Sequence, residues 1–284
     1  NDPLYAFQWN FDDIGVEGAW ADADGEGVIV AVIDTGVSFA DAPDQGFPHI
    51  RDLSGTGFVR GYDFVSNDTS PFDEHGHGTH VAGTIAQTTG NSYGVAGIAP
   101  RAKIMPIRVL DAQGRGTTTD IADAIRFAAD HGAHVINLSL GGGHSSSTEA
   151  AINYANDRDV LVVASAGNNG AAGNPVIYPA ALPGVLGVGA YVDDGPTNWA
   201  SNGNWVEISA PGENVATLGT GSGYVLGKGT SFSAPQVAAA AALLAFAAPA
   251  IAAPSTLQVK GQANWISEAP VEKIVGTADG VGEL

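Results

Sequence analysis

The segment "GVIVAVID" at residues 27–34 is a continuous apolar run that ends in an acid. Such a run is typical of a strand covered on both faces, as in a parallel sheet. Four later segments have the same character: "KIMPIRVL" (103–110), "AHVINLSL" (133–140), "DVLVVASAG" (159–167) and "GVLGVGA" (184–190). Together these segments predict a buried, largely parallel sheet.

Helical patterns alternate with these strands. The segments 117–132 and 145–159 each begin with Thr or Ser, carry an acid in the first turn and show apolar residues at helical spacing. A longer apolar helix is predicted from Ser231. The alternation predicts a doubly wound α/β fold, a mostly parallel sheet with helices on both faces. We expect a single domain over residues 1–284, with a weaker pattern from about residue 250 and a helix near 255–263.

Composition excludes several function classes. The 284 residues contain 30 acidic and 11 basic side chains, a formal charge of −19, which disfavours nucleic-acid binding. Cysteine is absent, so the chain contains neither a disulfide nor a thiolate metal site. The apolar run 231–253 is long enough to consider as a membrane span, but it is Ala-rich and interrupted by proline, which favours a buried helix. The chain begins at Asn1 without a leader pattern, and we expect a removed leader or a mature terminus.

An acid, an imidazole and a hydroxyl each lie at the end of a predicted element. Asp34 ends the first strand, His77 lies in "HGHGTHVAG" (75–83), and Ser231 lies in "GTSFSAP" (229–235). Ligands of parallel α/β sheets bind beyond the carboxyl ends of the strands. A serine becomes nucleophilic when a histidine takes its proton and a carboxylate orients that histidine. The three residues therefore predict nucleophilic catalysis.

Each residue also has an ordinary structural interpretation. Asp34 alone is a turn former, and Ser231 alone is a helix cap. The pair His77 and His80 could hold a metal, but Gly78 stands where the zincin motif has glutamate. His80 is therefore interpreted as a structural histidine.

The blocks "VIDTGV", "HGHGTHVAGTIA" and "GTSFSAPQVA" resemble the three signature blocks of the subtilisin-like serine proteases, the subtilases. The resemblance spans about residues 25–245, and "GYDFVSNDTSP" resembles a loop of the thermitase-like branch. It implies that Asp34 orients the base, that His77 is the general base and that Ser231 is the nucleophile.

The segment "VVASAGNNG" (162–170) resembles the block of this family that holds the oxyanion-binding asparagine. The resemblance assigns that role to Asn168 rather than to Asn169; the alternative is a polar turn after a strand. A dinucleotide-binding interpretation fails, because these glycines do not follow the G-x-G-x-x-G spacing.

The resemblance also implies a peptide-binding cleft between "LSLGG" (138–142) and "AQGRGT" (112–117), to which substrate adds as a strand. Gly141 and Gly167 are expected to keep the primary pocket open. With no buried acid there, we expect a broad specificity with an apolar or aromatic residue at P1, the residue before the scissile bond. The predicted substrate-binding residues are Ser139, Leu140, Gly141, Gly114, Gly116 and Gly167.

Calcium is the cofactor that the resemblance implies, since all-oxygen ligand sets suit this ion. The alternative is a set of solvated acidic loops. The first predicted site takes side-chain or carbonyl oxygens from Asp2, Asp44, Thr88, Asn91, Tyr93 and Val95. The second takes them from Asp63, Asp68 and Ser70.

The resemblance implies a secreted, extracellular, monomeric serine endopeptidase that forms an acyl-enzyme. Its expected partners are protein and peptide substrates and a propeptide or proteinaceous inhibitor, without nucleic acid or membrane. One rival is an α/β-hydrolase esterase, but that fold places serine before the acid and histidine, the opposite of the order Asp34, His77, Ser231. A second rival is a catalytically dead subtilase that serves as a binding module, which a covalent serine-hydrolase probe would distinguish.

Overall fold

The computed structural model describes residues 1–39, 50–193, 195–220, 223–247 and 276–277. The strands within these residues are β1 Ile29–Asp34, β2 Gly57–Phe58, β3 Tyr62–Asp63, β4 Lys103–Arg108, β5 Val135–Leu138, β6 Leu161–Ser165, β7 Val185–Val192, β8 Gly195–Pro196, β9 Ile208–Pro211, β10 Glu213–Leu218, β11 Tyr224–Lys228 and β12 Gly276–Thr277.

The helices begin where the sequence offers caps or glycine-rich turns. Thr117 accepts a hydrogen bond from the Asp120 backbone N–H, and Ser145 accepts one from Thr148, so both predicted caps are confirmed. The described α-helices are α1 Trp9–Asp13, α2 Val16–Ala19, α3 His77–Ala86, α4 Thr118–Asp130, α5 Ser146–Asn156 and α6 Thr230–Ala247.

The main sheet has the strand order β12-β9-β7-β6-β5-β1-β4-β2. Neighbouring strands from β9 to β2 run parallel, and β12 pairs antiparallel with β9. The short strands β3 and β8 pair with β4 and β7. The order reverses direction next to β1, which therefore ends at the switch point where such sheets bind ligands.

The core lies in two layers, one on each face of the sheet. Along β1, Val30 and Val32 join the layer that contains α3 and α6, whereas Ala31 and Ile33 join the layer that contains α4 and α5. Alternate side chains of a strand point to opposite faces, so both faces of β1 are covered. This arrangement confirms the doubly wound α/β fold predicted from residues 27–34.

The five predicted sheet segments are confirmed as β1, β4, β5, β6 and β7. The antiparallel pair β10–β11, which leads directly into α6, was not predicted. The helix predicted near 255–263 lies outside the described residues. None of the helices that the structure describes is long and apolar enough to span a membrane.

Candidate active site

The end of β1 and the start of α3 bring an acid and an imidazole into contact. Asp34 is fully buried, and its Oδ1 lies 2.8 Å from Nδ1 of His77. The same oxygen accepts the Thr35 backbone N–H at 2.7 Å. Since the carboxylate accepts from Nδ1–H, the tautomer leaves Nε2 unprotonated and able to take a proton. Within the described chain, the buried Oδ2 of Asp34 has no hydrogen-bond partner.

The electrostatic surroundings of His77 favour its charged form. Burial alone lowers the pKa of this imidazole, but the charge of Asp34, its hydrogen bond and the more distant charge of Asp73 outweigh burial. The pKa of His77 is therefore raised from its ordinary value. A raised pKa means that the pocket stabilises the imidazolium that forms when His77 accepts a proton.

A second carboxylate fixes the first turn of α3. Asp73 is buried and accepts the backbone N–H groups of His75, Gly76 and Thr79 at 2.7 to 3.0 Å. It also accepts one hydrogen bond from the Thr35 hydroxyl and one from the Thr79 hydroxyl. Asp73 thus satisfies N–H groups that a helix start leaves free, and it ties α3 to the loop after β1.

Gly78 is required by this close approach of helix and strand. A Cβ at this position would lie 2.1 Å from the carbonyl oxygen of Gly36 and 3.1 Å from Cβ of Asp34. Only glycine lets the first turn of α3 come near enough for His77 to reach Asp34.

Ser231 is the second residue of α6, and a neighbouring strand end holds it. Pro235 lacks an N–H, so the Ser231 carbonyl, four residues earlier, loses its helical partner. Ser139 Oγ donates to that carbonyl at 3.0 Å, and Ser231 Oγ donates to the Ser139 carbonyl at 3.3 Å. Ser139, predicted in the substrate cleft, therefore also contacts Ser231 through two hydrogen bonds.

Asn168 is oriented by the residue before Ser231. Its Oδ1 accepts from the backbone N–H of Thr230 at 2.9 Å and from the Thr230 hydroxyl at 3.0 Å. The same hydroxyl accepts the Gly167 N–H at 3.1 Å. Because the oxygen of the amide is engaged, Nδ2 is the group left to donate to a substrate oxygen. This side chain is solvent-exposed.

His80 has a structural role, as expected. Its ring stacks on Phe232 at 6.2 Å, and burial, followed by the charge of His77, lowers its pKa. Across the described residues, no group of three or more His, Asp or Glu side chains is arranged to hold a metal.

A model of the subtilase family matches residues 25–268, which covers all three blocks and the contacts just described. The chain belongs to the subtilase family.

Curated relatives agree with this assignment. The chain is 44% identical over 250 residues to a thermophilic serine proteinase of Bacillus sp. (strain AK1), a match that covers 86% of the chain and 59% of the relative. It is 41% identical over 249 residues to thermitase of Thermoactinomyces vulgaris, covering 86% of the chain and 85% of the relative. The chain therefore spans less than two thirds of the first relative but most of thermitase. These relatives confirm the predicted likeness to the thermitase-like branch.

Solved structures show the same fold. A protease from Pseudoalteromonas arctica has a TM-score of 0.75 and 32% identity, with 86% of each chain covered. A cold adapted subtilisin-like serine proteinase has a TM-score of 0.68 and 34% identity, covering 79% of this chain and 77% of that one. Family and relatives together make this subtilase chain a serine endopeptidase domain.

A groove adjoins the candidate active site of this subtilase. A cavity of about 520 Å³ lies between residues 112–117 and 138–143 and reaches His77. Among the residues that the structure describes, its lining contains Arg115 but no acidic side chain. The predicted residues that line the cavity are Gly114, Gly116, Ser139, Leu140 and Gly141.

Gly141 belongs to this lining and Gly167 does not. That the two glycines keep the primary pocket open stays a prediction. A Cβ on Gly141 would lie 2.5 Å from Cγ2 of Ile177, and a Cβ on Gly167 would lie 2.7 Å from Cγ1 of the same residue. Ile177 therefore fills the space beside both glycines. Ile177 was not predicted from the sequence, because no local pattern places it next to Gly141 and Gly167.

The first predicted calcium cluster is partly assembled. The carboxylate of Asp2 is buried and accepts the backbone N–H groups of Gly90, Asn91 and Ser92 at 2.8 to 3.2 Å. Thr88, Asn91, Tyr93 and Val95 all lie in this loop. Asp44 lies outside the described residues.

Asp52, which the sequence analysis missed, lies beside this loop. It is 1% exposed, and it accepts hydrogen bonds from Nδ2 of Asn91 at 2.7 Å and from the Tyr224 hydroxyl at 3.0 Å. Burial raises the pKa of Asp52, the hydrogen bonds from Asn91, Tyr224 and Val95 oppose this, and the charge of Asp2 raises it further. Among the ion pairs of the described residues, none involves Asp52 or Asp2. The segment "HIRDLSG" (49–55), in which Arg51 and Asp52 are adjacent charges, has no local pattern that indicates this role.

The second predicted cluster already contains a positively charged side chain, that of Arg108. Asp63 is 1% exposed and pairs with the Arg108 guanidinium at 3.1 Å. Its other oxygen accepts the backbone N–H groups of Val65 and Ser66. Asp63 and Asp68 exchange backbone hydrogen bonds, and Asp68 accepts the Ser70 N–H at 2.7 Å. The structure thus brings the three predicted residues together in one turn with a basic partner.

Proposed function

We propose that Asp34, His77, Ser231 and Asn168 hydrolyse peptide bonds through an acyl-enzyme. The observation that carries this proposal is the 2.8 Å contact between buried Asp34 and Nδ1 of His77, which leaves Nε2 as the base. The coupling of Asn168 through Thr230 to the residue before Ser231 supports it. The four residues lie within residues 25–268, the region that the family model covers.

Acylation proceeds by two proton transfers, with one bond formed and one bond broken. His77 Nε2 takes the Ser231 hydroxyl proton as Oγ bonds to the carbonyl carbon of the scissile peptide. The carbonyl oxygen gains negative charge and accepts a hydrogen bond from Asn168 Nδ2. When the intermediate collapses, the C–N bond breaks and His77 gives its proton to the departing amine.

Deacylation repeats these steps with water. His77 takes a proton from water as the water oxygen bonds to the ester carbon. Collapse breaks the bond to Ser231 Oγ, which regains its proton from His77, and releases the carboxylic acid. Asp34 remains ionised and stabilises the imidazolium in both halves of the cycle.

We further propose protein and peptide substrates with an apolar P1 residue. The lack of acidic side chains in the described cavity lining supports low activity at Lys or Arg. An extracellular location, a monomeric state and a propeptide or proteinaceous inhibitor as partner rest on family membership alone. We retain all of these as proposals.

The first acidic cluster is proposed to bind calcium. Asp2 and Asp52 are two buried carboxylates without a basic partner in the described residues, and Asn91 adds an amide oxygen. Carbonyls of Thr88, Tyr93 and Val95 would complete an oxygen set of the kind calcium takes. Bound calcium would supply positive charge that holds the N-terminal arm to the loop. The second loop stays a prediction, because Arg108 already neutralises Asp63.

The test of the function is hydrolysis of a purified peptide by the wild-type chain and by Ser231→Ala. We expect the variant to lose hydrolysis while its circular dichroism spectrum stays that of the wild type. Wild-type rates in Ser231→Ala would refute the proposal.

A further inference from the structure

The groove beside the candidate active site reverses the charge balance of the chain. Acidic side chains outnumber basic ones by 30 to 11 in the whole sequence. Among the residues that the structure describes, however, the cavity of about 520 Å³ is lined by Arg115 and by the imidazoles of His75 and His77, and by no acid. The groove therefore offers basic groups in a protein whose surface is otherwise dominated by negative charge.

His75 extends the wall of this groove away from the catalytic imidazole. The rings of His75 and His77 meet edge to face, with centroids 6.3 Å apart. The His75 ring also lies near the segment 112–117, since a Cβ on Gly114 would be 3.5 Å from its Nε2. One wall of the groove thus runs from His77 through His75 and Gly114 to Arg115.

The backbone of Arg115 is held in place by Asp111. The N–H of Arg115 donates to Oδ1 of Asp111 at 3.0 Å, and its carbonyl accepts the Asp111 N–H at 2.8 Å. The next residue, Gly116, has no room for a side chain, because a Cβ there would lie 2.2 Å from the Val109 carbonyl oxygen. These contacts fix the point at which the arginine side chain leaves the wall.

The guanidinium of Arg115 is free to bind a carboxylate. The residue is exposed, and none of the ion pairs within the described residues involves it. The pKa of Asp111 is lowered first by the backbone N–H groups of Arg115 and Gln113, and the charge of Arg115 is a smaller cause. An arginine presents a planar fork of donors that matches a carboxylate.

A bound peptide must pass along this wall. In the proposed reaction the scissile carbonyl lies between Ser231 and His77, where the cavity begins. An extended chain advances about 3.3 Å per residue. The 6.3 Å from His77 to His75 therefore corresponds to about two residues of substrate. A substrate side chain at that distance or beyond faces His75 and Arg115.

We propose that His75 and Arg115 form a subsite for an acidic substrate side chain, two or more residues from the scissile bond, in which Arg115 pairs with the carboxylate. This inference rests on the proposed function and names a substrate class for it, peptides with Glu or Asp near the cleaved bond. Because Arg115 is exposed, the preference should weaken as salt concentration rises.

The test uses internally quenched peptides of one sequence in which Glu, Gln or Lys stands at a single position from P4 to P3′. At one position, or at two adjacent ones, we expect the wild type to show a kcat/KM for Glu about two- to fivefold above that for Gln, the range of an exposed ion pair. Lys should fall below Gln at the same position.

Variants of Arg115 assign the preference to its charge. Arg115→Gln should bring the Glu/Gln ratio at that position to about one, whereas Arg115→Lys keeps the charge and should retain most of the ratio. His75→Gln should lower the ratio by less than Arg115→Gln does. The matched control is Arg60→Gln, which removes the same charge at an exposed arginine outside the cavity lining and should leave the ratio unchanged.

Three results would overturn the subsite. They are equal rates for Glu and Gln at every position, an unchanged ratio in Arg115→Gln, and an equal fall in Arg60→Gln, which would make the preference an effect of net charge. Hydrolysis that requires Ser231 but shows any of these results refutes the subsite alone. No hydrolysis of any peptide by the wild type refutes the proposed function and the subsite together.

Discussion

Asp34 and Asp52 are two carboxylates with nearly the same burial and opposite surroundings. Asp34 is 0% exposed and Asp52 is 1% exposed. Asp34 faces an imidazole that can become positively charged, at 2.8 Å. Asp52 faces the amide of Asn91, the phenol of Tyr224 and the further acid Asp2, and burial raises its pKa.

The difference shows how a buried charge can serve two purposes. A buried carboxylate needs a compensating charge or strong hydrogen bonds. At Asp34 the compensating charge comes from within the chain, and in the proposed mechanism it appears when His77 accepts a proton. At Asp52 the described chain provides neutral donors only, so a cation from solution would complete it. The same substitution should therefore affect catalysis at one position and stability at the other.

The largest expected effect comes from Asp34→Asn. The amide keeps the shape but favours the wrong tautomer of His77, and a loss of about 10⁴-fold in kcat is expected for such a change. Steady-state kinetics on one peptide substrate measure it. A loss below about tenfold would remove the distinction between Asp34 and Asp52.

Asn168→Ala should have the next largest effect. Loss of one oxyanion donor lowers kcat by about 100–1,000-fold. KM should change little, because the hydrogen bond to Nδ2 strengthens only in the transition state. A variant in which KM rises while kcat stays constant would assign Asn168 to ground-state binding instead.

The pH profile sharpens the account of His77. The neutral imidazole is the base, so kcat/KM should rise with pH through the pKa of His77, about tenfold per pH unit below it. Asp34 raises this pKa above the ordinary value of 6.5, and the inflection is expected above that pH. The same shift contributes stability that is present below pH 6.5 and is lost as pH rises through the raised pKa. An inflection below pH 6.5 would contradict the stabilised imidazolium.

The smallest effect is thermal. With excess calcium, Asp52→Asn should lower the melting temperature by several degrees, because a cation at a thousandfold excess over its Kd contributes about 4 kcal/mol and about 1 kcal/mol shifts Tm by about 2–4 °C in somewhat smaller domains.

In EDTA the deficit of Asp52→Asn should shrink to about a degree or reverse. Without a cation, burial raises the pKa of Asp52, so the folded state favours the protonated carboxyl. That contribution to stability is lost as pH rises through the raised pKa. Asparagine does not ionise and therefore avoids this loss. Melts of active-site-blocked samples measure both conditions. An equal deficit in calcium and in EDTA would leave Asp52 without a metal-binding role.

The fold was predictable from sequence because its signals are local. The apolar run at β1 and the caps at Thr117 and Ser145 each act within a few residues. The triad assignment rests on glycine-rich blocks that mark each residue, and it stays a prediction. Asp52 and Ile177 were not predictable, since their roles depend on contacts with segments distant in sequence, such as Tyr224 for Asp52 and Gly141 for Ile177.

The most direct test of the central claim is intact mass after fluorophosphonate labelling, followed by peptide mapping of the modified residue. The account predicts one adduct per chain, on Ser231, and no adduct in Ser231→Ala. An adduct on another residue, or none on the folded wild-type chain, would contradict the assignment of Ser231 as the activated nucleophile.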